Sequence, residues 1–236
     1  MKLVELKEKY SILKKVIEII EENDKINELF EPQELAIKNG ILDNNGNFLI
    51  CTATGSGKTL IAELVALKTV LENRGKVLYL APLKALVAEK YEEFLKKYEK
   101  IGVKVALSIG DFDEDDPYLK FKDIIFTTYE KADSLLRHKS EFIKDLKLLI
   151  IDEIHEINSD RGVTLEVLIC LLKEICNPRI IGLSATIGNP EDLANWLNAK
   201  LIVSNFRPVP LYEGVYFNKK IYFDENQVLE IDDIMN

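Results

Sequence analysis

The chain has 236 residues, of which 47% are hydrophobic and 30% are charged, and this balance fits one substantial folded core. Its longest apolar runs have the length of a strand and exclude a membrane-spanning helix, and its charged N-terminus lacks the apolar segment of a signal peptide, so we expect a cytoplasmic protein with no membrane partner. The net charge of −9 argues against a domain that binds nucleic acid through an extensive basic surface. The three cysteines show no CxxC spacing, which argues against a metal site or a disulfide framework.

The first part of the chain predicts helices. Apolar residues recur at helical spacing between charges from residue 3 to about residue 22, which is typical of one amphipathic helix. Pro32 suits the first turn of a second, short helix.

From residue 48 onwards, short apolar runs alternate with amphipathic segments. The runs predict strands at 48–52, 77–81, 103–107, 124–127, 148–151, 180–183 and 201–203. The segments between them predict helices, notably at 58–73, 83–98, 163–176 and 190–198. Because the runs are apolar throughout, both faces of these strands are expected to be covered, which indicates an α/β fold with a mostly parallel sheet and helices on both faces. The alternation of apolar runs and amphipathic segments ends near residue 205, where we place a domain boundary. Residues 215–223 predict a hairpin that turns at 218–220.

A glycine-rich turn follows the first predicted strand and leads directly into a helix. Residues 52–59 read Thr-Ala-Thr-Gly-Ser-Gly-Lys-Thr. A bound triphosphate requires converging backbone N–H groups, a permissive backbone, a cation and a hydroxyl for Mg²⁺. The residues that meet these needs are Thr54, Gly55, Ser56, Gly57, Lys58 and Thr59. Thr52 stands where the usual pattern has glycine or alanine, and a chance Gly-Ser loop between a strand and a helix is the less favoured interpretation.

Two carboxylates, Asp152 and Glu153, follow the predicted strand 148–151. Ligand sites on open α/β sheets lie at the carboxyl ends of strands, so these side chains are expected to face the same crevice as the glycine-rich turn. Asp152 is placed to hold Mg²⁺ through its hydration shell, and Glu153 to deprotonate an attacking water. Taken alone, an Asp-Glu pair after a strand is as often a helix cap.

Asp152-Glu153-Ile154-His155, together with Ser184-Ala185-Thr186 after another predicted strand, makes the chain similar to the superfamily-two helicases of the DExH type. It resembles most closely the archaeal DNA-repair helicases related to the helicase domain of polymerase theta, and the superkiller-type RNA helicases. The stretches that carry this resemblance lie at 81–91, 127–131, 183–190 and 205–211, in the order found in the family.

The resemblance implies a RecA-like P-loop NTPase domain at 31–205, with residues 1–30 as a helical segment packed on it and residues 206–236 as the linker and start of a second motor domain. It implies ATP and Mg²⁺ as cofactors and a helicase or translocase that unwinds DNA in the 3′-to-5′ direction. The implied partners are single-stranded or forked DNA and the second motor domain of the same chain. Action on RNA, as in the superkiller-type helicases, is the alternative.

The resemblance also implies roles for individual residues. Gln33 matches the glutamine that recognises adenine, and His155 matches a residue that contacts the relay between nucleotide and strand. Ser184 and Thr186 match that relay. The residues that match motifs gripping the nucleic-acid backbone are Pro82, Lys84, Thr127, Thr128 and Glu130. On residue type alone, such Ser and Thr residues usually cap helices, and a lone Gln or His usually lies at the surface.

The family supplies its arginine fingers from the second motor domain, and none of the five arginines of this chain lies in such a segment. We therefore expect this sequence to be a piece of a longer protein that binds ATP but hydrolyses it very slowly alone. Two other classes are open, a P-loop kinase and a non-catalytic ATP switch, although no arginine-rich lid supports the first and the complete set of catalytic residues disfavours the second. The acidic run at 111–116 is interpreted as a solvated loop, and Cys51 as a buried residue beneath the phosphate loop.

Overall fold

A computed structural model describes residues 1–110, 116–217, 220–223 and 228–230. Its contacts divide the chain into two compact units, Met1–Phe206 and Arg207–Asn236. The division of the chain into motor, linker and second domain stays a prediction.

The described part of the first unit contains seven strands. They are β1 (Asn47–Thr52), β2 (Lys76–Ala81), β3 (Val105–Ser108), β4 (Ile124–Thr128), β5 (Leu146–Ile151), β6 (Arg179–Ser184) and β7 (Ala199–Ser204). They form one sheet in the order β3-β4-β2-β5-β6-β1-β7, and every neighbouring pair is parallel. The apolar runs therefore predicted all seven strands to within a few residues.

Within the ranges that the structure describes, eight α-helices surround this sheet. They are α1 (Leu3–Lys9), α2 (Lys14–Asp24), α3 (Glu31–Lys38), α4 (Lys58–Leu71), α5 (Lys84–Tyr98), α6 (Tyr129–Arg137), α7 (Gly162–Ile175) and α8 (Pro190–Leu197). Among the described residues, no helix has both the length and the apolar composition needed to cross a membrane.

The core lies on both faces of the sheet, because successive strand residues point to opposite sides. Phe48 and Ile50 of β1 join a cluster with helices α1 to α5, whereas Leu49 and Cys51 join a second cluster with α6, α7 and α8. The same alternation divides the other central strands. This arrangement confirms the predicted α/β fold with helices on both faces.

The single N-terminal helix predicted over residues 3–22 is wrong. The chain forms α1 and α2, with Tyr10 in a non-helical conformation (φ −122°, ψ 77°) and a 3₁₀ turn at Ser11–Leu13 between them. Tyr10 is buried and its hydroxyl donates to Asp43 Oδ1 at 2.7 Å, so a long-range contact interrupts the periodic pattern.

The described residues of the second unit form three short strands. β8 (Gly214–Phe217) pairs antiparallel with β9 (Lys220–Phe223), over the residues where a hairpin was predicted, and β9 pairs with β10 (Val228–Glu230). Residues 218 and 219 of the predicted turn, and residues 111–115 of the acidic run, lie outside the described residues.

Candidate nucleotide-binding site

Three adjacent strands bring the predicted site residues to one edge of the sheet. The strand order places β6 between β1 and β5, and all three are parallel. The glycine-rich turn follows β1, the acidic pair follows β5, and Ser184 ends β6. Residues far apart in sequence therefore meet at the carboxyl end of the sheet, where ligands of α/β proteins bind.

The glycine-rich turn is shaped by two glycines with positive φ, Gly55 (80°) and Gly57 (83°), and α4 begins immediately after it. Lys58 is buried at the start of this helix, and its Nζ donates to the carbonyls of Thr52 (2.8 Å) and Ala53 (3.2 Å). The helix N-terminus adds free N–H groups and a partial positive charge to the same place. This is the arrangement that a phosphate group requires.

Thr52, the residue that departs from the usual pattern, has a visible role. It is fully buried, and its hydroxyl lies 2.7 Å from that of Ser56. The pair closes the turn from within.

The acidic pair acts electrostatically on the lysine of the turn. Burial lowers the pKa of Lys58, and the carboxylates of Glu153 and Asp152 oppose this effect by raising it. Such an influence requires the three charges to be close. The structure therefore brings together Lys58, Asp152 and Glu153, which were predicted from the sequence to form one site.

Asp152 is held in a fixed orientation by its neighbours. The hydroxyl of Tyr79, a fully buried residue of β2, donates to Asp152 Oδ2 at 2.8 Å, and the backbone N–H of Glu153 donates to Oδ1 at 3.0 Å. Tyr129 at the start of α6 donates to the backbone carbonyl of Asp152 at 2.5 Å. Burial and the Asp152 charge raise the pKa of Tyr79, so this phenol stays a neutral donor.

Glu153 has a left-handed backbone (φ 51°, ψ 43°), which is uncommon for a residue with a side chain. This conformation turns the chain out of β5 and into a 3₁₀ helix at Ile154–Asn158. Burial and the neighbouring Asp152 raise the pKa of Glu153, while Lys58 and His155 lower it. A carboxylate with a raised pKa is suited to accept a proton near neutral pH.

The donor set fits Mg²⁺, which takes oxygen ligands and keeps several of its waters. Thr59 offers a hydroxyl in the first turn of α4, and Asp152 keeps free lone pairs beyond its two hydrogen bonds. The described residues contain no cluster of three or more His, Cys, Asp or Glu side chains that could form an all-protein metal site. These observations are compatible with an ion shared between protein and nucleotide.

Gln33 in α3 is buried against the glycine-rich turn. Its Nε2 donates to the carbonyl of Gly57 at 3.0 Å, and its Oε1 accepts from the backbone N–H of Phe30 at 2.8 Å. A Cβ on Gly57 would lie 2.1 Å from Nε2, so only glycine permits this approach. The ring of Phe30 stacks on that of Phe206 with centroids 5.3 Å apart. The adenine-recognising role of Gln33 stays a prediction.

Two buried polar atoms of the predicted relay have no hydrogen-bond partner among the described residues. They are Ser184 Oγ and His155 Nδ1, the latter 3.4 Å from Glu153 Oε2. Thr186 is exposed in the loop after β6. Among the described residues, no hydrogen bond joins His155 to Ser184.

The residues predicted to grip nucleic acid lie at the same sheet edge, farther from the phosphate loop. Pro82 and Lys84 follow β2. Thr127 and Thr128 end β4, where both hydroxyls form local bonds: Thr127 donates to the Ser108 carbonyl at 2.6 Å, and Thr128 caps α6. The helix-capping interpretation therefore holds for Thr128, while contact with nucleic acid stays a prediction for all of these residues.

A cavity of about 380 Å³ at the opposite edge of the sheet does not belong to this site. It is lined by Arg74, Lys76 and Lys147, among others, near the amino ends of the strands. Lys76 donates to the carbonyls of Lys120 and Lys122, each at 2.7 Å, so this cation is already engaged.

Several residues that shape the site were missed by the sequence analysis. Tyr79 and Tyr129 orient Asp152, and Arg161 contacts Pro82 and Glu130, two of the residues predicted to bind nucleic acid. One sequence signal existed for Tyr79, because a phenol within a buried strand must find a hydrogen-bond partner.

Comparison with known proteins agrees with these features. Residues 30–193 match the family model described as DEAD/DEAH box helicase. A protein of Methanocaldococcus jannaschii named "ATP-dependent DNA helicase Hel308" is 50% identical over 94% of this chain and 19% of its own length. Proteins of the same name from Methanococcus vannielii and Pyrococcus abyssi are 52% and 50% identical, over 86% and 91% of this chain and 27% and 30% of their own lengths. The chain thus spans less than a third of the length of these relatives.

Proposed function

The chain belongs to the DEAD/DEAH box helicase family, which uses ATP, and from this premise we propose that it is the ATP-binding motor domain of a DNA helicase. The observation that carries the proposal is the meeting of the phosphate loop and the acidic pair at one sheet edge, where Asp152 and Glu153 act on the charge of Lys58. The names of the relatives favour DNA over RNA as the substrate.

Each residue of the site has a proposed part in ATP hydrolysis. Lys58 and the N–H groups of the turn bind the phosphates, while Thr59 and Asp152 hold Mg²⁺, which would neutralise charge on the β- and γ-phosphates. Glu153 accepts a proton from the attacking water as the bond to the γ-phosphate breaks. Tyr79 fixes the orientation of the Asp152 carboxylate, which would hold the ion, through its hydrogen bond to Oδ2.

Hydrolysis in this scheme is completed by arginines from a second motor domain. None of the five arginines lies in the arginine-finger segment of the resembled family, and the relatives are more than three times longer than this chain. We therefore propose that a second motor domain of the full-length protein is a partner of this one, and that single-stranded or forked DNA binds across both. The proposed direction of unwinding is 3′ to 5′.

The test is the steady-state ATPase rate of the protein that carries both motor domains, measured with Mg²⁺ alone and with added single-stranded DNA or RNA. We expect DNA to stimulate the rate and Lys58→Ala to abolish the stimulated activity. Stimulation by RNA alone would assign the protein to the RNA-acting helicases. A rate indifferent to both nucleic acids would contradict the proposal and favour a kinase or an ATP switch.

A further inference from the structure

Arg161 connects three separate parts of the site edge. It lies between the 3₁₀ helix Ile154–Asn158 and the start of α7. Its Nη1 donates a hydrogen bond to the backbone carbonyl of Pro82 in the loop after β2. Its Nε lies 3.7 Å from Oε1 of Glu130 in the first turn of α6, and the side chains of both members of this pair are only partly exposed. One guanidinium therefore spans two loops that neighbour each other only in the folded chain.

The link from Arg161 back to the acidic motif is a short hydrogen-bonded turn. The N–H of Gly162 donates to the Ser159 carbonyl at 2.9 Å, and the N–H of Arg161 donates to Ser159 Oγ at 3.2 Å. A Cβ on Gly162 would lie 1.9 Å from the carbonyl oxygen of Ile157, so this turn has no spare room. The chain between Glu153 and Arg161 therefore consists of the 3₁₀ helix and one hydrogen-bonded turn, which together fix where Arg161 lies relative to the acidic motif.

The two contacts of Arg161 fall on residues expected at the nucleic-acid surface. Both Pro82 and Glu130 match motifs that grip the strand. A carboxylate repels a phosphate, so Glu130 is better suited to hold an arginine than to bind the backbone directly. An arginine is the fitting partner, because its planar fork can serve a carbonyl and a carboxylate at once.

We propose that Arg161 is a positioning residue that fixes the loop after β2 and the start of α6 relative to the acidic motif, and so couples nucleic-acid binding to ATP turnover. This inference rests on the proposed function. Coupling of this kind is a free energy shared by two sites, and it is observed as stimulation of ATPase by DNA.

The other role open to a half-exposed arginine here is direct contact with a phosphate, and salt dependence distinguishes the two. Loss of one phosphate contact lowers the slope of log affinity against log salt by about one. Loss of a positioning residue leaves the number of phosphate contacts, and therefore the slope, unchanged.

The experiment compares Arg161→Gln and Arg161→Lys with the unsubstituted protein that carries both motor domains. The matched control is Arg137→Gln, which removes the same charge from an exposed position on α6, where Arg137 pairs with Asp133 on its own helix. We expect Arg161→Gln to reduce the stimulation of ATPase by single-stranded DNA about tenfold, the effect of losing one charge-assisted hydrogen bond. The lysine variant should retain part of the stimulation, and Arg137→Gln all of it.

The salt slope of DNA binding should be the same in all of these proteins. A slope lower by about one in Arg161→Gln, or undiminished stimulation in that variant, would overturn the inference. If the glutamine variant does not fold, Arg161→Lys decides through stimulation alone, because lysine keeps the charge needed for a phosphate contact but not the planar fork that serves a carbonyl and a carboxylate. Reduced stimulation in this variant supports the inference, and full stimulation overturns it. Absence of stimulation in the unsubstituted protein would instead be a failure of the proposed function, recognised before any variant is compared.

Discussion

Glu153 is the residue on which the chemistry of the site depends, because it is the half-buried carboxylate beside both Asp152 and Lys58. Glu153→Gln keeps the size and hydrogen-bonding capacity of the side chain but removes the proton acceptor. We expect the variant to bind ATP normally and to lose about 10²- to 10⁴-fold in turnover, the usual contribution of a general base. Nucleotide binding by calorimetry and steady-state ATPase measure the two effects separately.

Glu156→Gln is the control for this variant, because Glu156 lies in the same 3₁₀ helix and carries the same charge. It should bind and hydrolyse ATP as the unsubstituted protein does. Normal turnover in Glu153→Gln would remove Glu153 from the catalytic scheme.

The raised pKa of Glu153 also predicts how activity depends on pH. The ordinary value is 4.5, and burial, followed by the Asp152 charge, moves the pKa upward. The base is active only when ionised, so the rate of hydrolysis should fall, on acidification, at a higher pH than a solvated glutamate would allow. The stability contribution of the protonated form has the opposite sense: it is complete below the unfolded pKa and is lost as pH rises through the folded one. A pH profile of kcat whose acid limb lies at or below pH 4.5 would contradict this assignment.

At the scale of elements, the junction between the 3₁₀ helix and α7 predicts a local effect on stability. Gly162→Ala would place a methyl group 1.9 Å from the Ile157 carbonyl oxygen, which forces the backbone to move. We expect the free energy of unfolding to fall by roughly 1–3 kcal/mol, as in other overpacked sites. Urea denaturation measures the change.

Gly188→Ala provides the comparison, because a Cβ at Gly188 meets nothing within 4 Å and its backbone φ is not positive. Its unfolding free energy should change by less than about 1 kcal/mol. Equal stabilities of the two variants would show that the turn at Gly162 yields more easily than its packing indicates.

The central strands could be predicted from the sequence because strands buried on both faces consist of apolar residues. The central strands are buried on both faces, so their apolar runs stand out in the sequence. The break between α1 and α2 could not be predicted, because it depends on the contact of Tyr10 with Asp43. The prediction also did not name α6, a nine-residue helix that carries few apolar side chains.

The site followed the same rule. The phosphate loop and the acidic pair are local patterns whose chemistry is fixed by spacing, and the parallel sheet explains why they meet. The residues that orient them are not local patterns. Tyr79 reaches Asp152 across two neighbouring strands, and Arg161 reaches Pro82 from a distant turn. Such contacts depend on the strand register and on the conformation of the loops, and neither can be predicted from the spacing of residues in the sequence.

For the molecule as a whole, the acidic composition and the single described motor unit lead to one expectation. With a net charge of −9, this chain alone should bind DNA weakly, and it should bind ATP while turning it over on the order of a thousandfold more slowly than the protein with both motor domains. Parallel measurements of ATP affinity and ATPase rate on the chain and on the long protein test this. A chain that hydrolyses ATP at the full rate by itself would exclude an essential arginine from elsewhere.

The left-handed backbone of Glu153 creates a conflict between activity and stability. The proposed reaction requires a carboxylate at this position, whereas folding favours a residue that adopts a positive φ at low cost. Holding a side-chain-bearing residue in this region costs about 1–3 kcal/mol, a noticeable share of the roughly 5–15 kcal/mol that keeps a domain folded. Glycine or asparagine at position 153 would adopt the same turn more cheaply. A laboratory selection for heat resistance alone should therefore enrich glycine or asparagine at position 153. The selected proteins should be more stable and should no longer hydrolyse ATP.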